Sequence, residues 1–67
     1  MTTPRERANL WIAAARDARN NARTRREMAR KWAPTHPEWA EHDLELAHAA
    51  FDRAYHYLDW ARMLRNF

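Results

Sequence analysis

The chain contains no glycine. Backbone positions with positive φ, which tight β-hairpins and glycine-rich phosphate loops need, therefore have no ready occupant. Valine is also missing, other β-branched residues are few, and alanine and arginine dominate. Both are good helix formers, so helix is expected nearly everywhere.

Two stretches read as helix starts. Thr3-Pro4-Arg5-Glu6 offers a capping threonine, a proline at the first helical position and a glutamate to close a capping box. Thr35-His36-Pro37-Glu38 has the same Thr-x-x-Glu spacing. Between them Pro34 is expected to end the first helix, because the residue before a proline is pushed out of the α region. The signals predict helix 1 over about 4–33, a corner at about 34–35 and helix 2 over about 36–66. So short a corner allows only an antiparallel arrangement. The expected fold class is thus all-α: a single-domain helical hairpin of 67 residues. Both helices are too long for a helix-turn-helix DNA reader.

Winding each helix at roughly 100° per residue sorts its faces. Helix 1 is expected to turn Trp11, Ala14, Ala15, Ala18, Ala22, Ala29 and Trp32 inward. Helix 2 is expected to answer with Ala40, Ala47, Ala50, Ala54, Leu58 and Ala61. Small residues on both sides let two backbones approach at the short end of the usual spacing. Trp32 and Trp39 are expected to close the corner end, and Trp11 the open end with Leu58 and Ala61. Arg25 and Asp43 interrupt the two seams, and the short loop brings them together as a partly buried pair that fixes register.

Helix 2 is apolar over a wider arc than one neighbour can hide. Trp39, Leu46, Tyr57, Trp60 and Leu64 lie on one flank, which should run beside Leu10, Met28 and Asn21 of helix 1. Leu44, Phe51 and Tyr55 lie on the other. Short chains rarely bury enough apolar surface alone, and this one has no cysteine for disulfides or thiolate zinc sites. Self-association through the first flank is the expected remedy, as a homodimer forming a four-helix bundle.

Arg16, Arg19, Arg23, Arg26 and Arg30 step by three and four along helix 1 and form a stripe roughly 21 Å long. Residues 1–33 hold nine basic and three acidic side chains, a balance of +6, and residues 34–67 hold three and six, a balance of −3. Together these make the net +3 of the whole chain, which understates how basic helix 1 is. Glu38, Glu41, Glu45, Asp52 and Asp59 form an acidic stripe on the outside of helix 2. Arg19 and Arg26 are expected on the same side as Leu44, Phe51 and Tyr55, where arginines beside aromatics can stack on bases or grip an acidic protein surface. The expected function is non-catalytic: docking of the five arginines and Tyr55 on an acidic protein surface. Two other readings are a nucleic-acid binder without sequence preference and a structural oligomer whose stripes pair only with copies of itself.

The layout resembles that of the Rop-type dimeric hairpins in length, single corner and small core residues. That resemblance implies binding of paired RNA loops through a face of the first helices. It rests on no motif that matches residue by residue, so it transfers no functional residue.

Remaining motifs are thin. Glu45-Leu46-Ala47-His48 has the Glu-x-x-His spacing of ferritin-like metal sites, but its expected position is a solvent face without carboxylates from a facing helix, so no metal or cofactor is expected. Tyr55-His56-Tyr57-Leu58-Asp59 fits the loose Tyr-x-x-x-Asp pattern of type VII secretion substrates. Those proteins resemble one another in a Trp-x-Gly corner, whereas here the corner reads Trp32-Ala33-Pro34. There is no serine, and the four histidines share no face with a nucleophile, so no enzyme is expected. His36 and His42 are expected in water near the helix start. No secretory leader and no membrane partner is read, and the expected location is the cytoplasm.

Overall fold

The computed structural model describes residues 2–66. Two α-helices, α1 (Pro4–Trp32) and α2 (Pro37–Arg65), form an antiparallel hairpin about 50 Å long and 13 Å across. Among the described residues no helix is long and apolar enough to cross a membrane.

The first helix starts as its sequence predicts. The Glu6 amide donates to the Thr3 hydroxyl at 3.1 Å, and the Thr3 amide donates back to the Glu6 carboxylate at 3.4 Å. Replacing Thr3 with alanine is expected to lower stability by about 1 kcal/mol, read from urea denaturation, because the Glu6 amide at the helix end loses its hydroxyl acceptor.

The corner forms by a different route from the expected one. Ala33 stays in the α region, with φ −51° and ψ −42°, despite preceding Pro34. Pro34 acts instead through its missing N–H, which leaves the ladder without its next donor. The Trp32 carbonyl then accepts from the Thr35 amide at 3.1 Å and the His36 amide at 2.6 Å. His36 is the residue displaced from α geometry, at φ −137° and ψ 72°, because Pro37 follows it. Pro37 takes the first helical position, so the cap falls on His36 and the second Thr-x-x-Glu box does not form. The Thr35 hydroxyl lies 3.0 Å from His36 Nδ1 instead. His36 is also not solvated as expected. It is half-buried and stacks on Trp39 at 3.8 Å, while Trp32 meets both rings edge-on at 5.6 and 4.9 Å.

The core is a strip of methyl groups. Among the described residues every buried hydrophobic residue is an alanine, and no large side chain is completely enclosed. Ala8, Ala15, Ala22 and Ala29 recur at steps of seven, as do Ala40, Ala47, Ala54 and Ala61. A second row interleaves with each. Trp11 meets Tyr57 at 5.2 Å, Arg25 meets Asp43 at 3.1 Å and Trp32 meets His36 at 5.6 Å. These pairs share one register, in which residue i of α1 stands level with residue 68 − i of α2.

The inward set differs from expectation at three places. Ala8 joins the core, Ala14 is only half-buried, and Leu58 is 37% exposed while Tyr57 takes the inner place. Trp11 accordingly packs on Tyr57 and, at 6.4 Å, on Trp60 rather than on Leu58. The cause is a mismatch of periods. A straight helix drifts about 20° per seven residues relative to a strict seven-residue seam, so straight winding misplaces the far end.

Candidate functional site

Arg16, Arg19, Arg23, Arg26 and Arg30 are all exposed. The sixth arginine of this stretch, Arg25, turns inward instead. Its Nη1 donates to Asp43 Oδ1 at 3.1 Å, with the Asp43 side chain 8% exposed and that of Arg25 39%. This is the sole ion pair among the described residues. The exposed row is therefore not neutralised by carboxylates of its own hairpin, and Glu27, which lines a shallow hollow with Arg23, Arg26 and Arg30, bridges to none of them.

The inner edge of the row borders aromatics, as the antiparallel pairing requires. Arg19 lines a hollow of about 250 Å³ with Phe51, Ala54, Tyr55 and Leu58. Arg26 lines a neighbouring one of about 340 Å³ with Ala47, His48 and Phe51. Tyr55 is 70% exposed and Phe51 is half-buried. Leu58 and His48 belong to this surface but were not among the expected binding residues. Their signal was spacing: Leu44, Phe51 and Leu58 step by seven, as do Arg19 and Arg26. One side of the hairpin thus pairs a basic strip from α1 with an apolar strip from α2. Such a surface can clamp carboxylates by paired hydrogen bonds while covering apolar contacts beside them.

The opposite side carries exposed apolar side chains from both helices. Leu10, Met28, Trp39, Leu46 and Trp60 are exposed there, and Met63 joins them. Two residues expected on this outer flank lie elsewhere. Tyr57 is half-buried against Ala15, Ala18 and Ala54, and Leu64, seven residues further, is half-buried on the same row. They serve the contact between α1 and α2, because the seven-residue seam rotates them inward. Asn21, expected on the flank, is exposed.

The acidic residues Glu38, Glu45, Asp52 and Asp59 step by seven along α2 and are exposed. Among the described residues no three histidine, aspartate or glutamate side chains gather in a metal-holding group, and Glu45 and His48 are both exposed. Comparisons with protein-family models, with curated proteins and with solved structures find no match.

Proposed function

We propose that this chain is a small non-catalytic binding protein that self-associates through its apolar flank and docks its arginine face on an acidic protein surface. The observation that carries the reading is five exposed arginines with no ion-pair partner among the described residues, bordered by Phe51 and Tyr55. Solvated arginine rows are common on helices, and their stems often cover apolar neighbours. Here the stems leave Tyr55 open and hollows beside Phe51, which is what a partner's side chains require. Self-association is supported by Trp39, Leu46 and Trp60, left exposed at 48%, 36% and 52% on one flank of a chain whose core is alanine alone.

Replacing Arg19, Arg23 and Arg26 together with glutamate tests the docking face. The triple variant is expected to keep its helicity and its self-association and to lose capture of the host partner by at least about tenfold, since three rim and centre charges reverse sign. Loss of the assembly itself would assign the row to structure, as in an oligomer whose charge stripes pair between copies.

Nucleic acid is the second reading, supported by the 15 residues from Arg16 to Arg30, a stripe of about 21 Å beside an exposed aromatic. Its test is titration of labelled duplex RNA and DNA at two salt concentrations. A nucleic-acid site gives binding that weakens steeply with salt. The acidic row on α2 restricts any such contact to one edge of the hairpin, and absence of binding at low salt is the expected result.

A further inference from the structure

The apolar flank carries one acid and one base at its centre, and neither is paired within the hairpin. On α2, Arg53 follows Leu46 and precedes Trp60 by seven residues, which places it in the row Trp39, Leu46, Trp60. On α1, Asp17 follows Leu10 by seven. Leu10 and Trp60 lie on the same side of the hairpin. Leu10 lines a hollow with Arg7, Trp11 and Ala14, and Trp11 stacks on Trp60. Asp17 and Arg53 are both exposed and form no ion pair within the described residues. By the hairpin register Asp17 stands level with position 51, so Arg53 lies only about 3 Å from it along the axis.

We propose that the occupant of this flank is a second copy of the chain, turned about a twofold axis parallel to the helices. In that arrangement α1 of each copy lies over α2 of the other, with both corners at the same end. Each Arg53 then faces the partner's Asp17, twice over by symmetry. Two observations favour it over a twofold axis across the helices. First, it sets the +6 half of one chain against the −3 half of the other, whereas the crosswise arrangement sets like halves together. Second, by the same register Trp39 comes over Met28 of the other copy and Trp60 between Arg7 and Leu10, with the charged pair between them and Leu46 beside Asn21. Crosswise stacking places Arg53 against Leu46 of the other copy instead, so that no Asp17 of that copy comes over it. The pair acts as an orientation device, since it is satisfied in one stacking and costly in the other.

This inference rests on the self-association proposed above, and the test separates the two. Sedimentation equilibrium of wild type, Arg53→Glu, Asp17→Arg and the double variant reads the coupling. Each single reversal is expected to raise the dimer dissociation constant about tenfold or more, and the double variant to recover most of that loss. Because the chain has no cysteine, a spin label at Thr35→Cys reads the orientation independently of these variants. Corners at one end give a label separation below about 30 Å, while corners at opposite ends lie roughly a helix length apart, about 44 Å. A monomeric wild type at tens of micromolar would overturn self-association itself. A wild-type dimer with the long label separation, or with no recovery in the double variant, would overturn only the orientation argued here.

Discussion

Ala22→Leu is expected to cost about 3 kcal/mol or more and to lower the melting temperature by about 12–24 °C. Ala22 is 0% exposed and packs in one cluster with Ala47 and Ala50, at 2% and 1%. An isobutyl group there has no void to enter. It must push α1 off α2, and that separation loosens the neighbouring alanine layers too, since all share one seam. A chain of 67 residues has about 3–10 kcal/mol of stability in total, so one such substitution removes much of it. The control is Ala13→Leu, on an exposed position of the same helix, which is expected to leave the melting curve nearly unchanged. Thermal denaturation followed by circular dichroism decides it. Similar curves for both variants would show that the helices do not approach as closely as an alanine seam implies.

The second large effect is an asymmetry. Arg25→Ala is expected to cost about 3 kcal/mol, and Asp43→Ala only about 1 kcal/mol. Removing the arginine strands a carboxylate whose side chain is 8% exposed and which has no other side-chain partner among the described residues. Removing the aspartate leaves a guanidinium on a side chain already 39% exposed, and its stem is long enough to carry the charge into water. The double variant Arg25→Leu/Asp43→Ala is expected to recover most of the larger loss, because a buried ion pair exceeds an apolar replacement in specificity more than in stability. Chemical denaturation of the three variants reads all of this. Equal losses from the two single substitutions would mean that Asp43 is better hydrated than its burial indicates.

Much of the fold was legible in the residues. Pro4, Pro34 and Pro37 mark the helix ends, and the box between Thr3 and Glu6 forms as its spacing demands. The pairing of Arg25 with Asp43 was legible too, because two lone charges on otherwise apolar seams have one way to meet through a short corner. At the corner itself the cap went to His36 rather than Thr35, since the fixed φ of Pro37 outranks a threonine's capping preference. The stacking of His36 on Trp39 had no signal of its own, because ring contacts across a turn depend on the turn's path. On the binding side, the arginine row was plain from its spacing, and its neighbours Phe51 and Tyr55 followed from the antiparallel pairing. Leu58 and His48 were missed there for the same reason that Tyr57 was placed outside.

By itself, then, the sequence determined two helices, their ends, the hairpin and the surfaces of opposite charge. Those depend on local backbone preference and on residue order, which need no partner to act. The rotation of each helix about its own axis was decided only by tertiary structure. Local helix energetics are indifferent to that angle, whereas an alanine seam repeating every seven residues tolerates one value of it, with Tyr57 inside and Leu58 out.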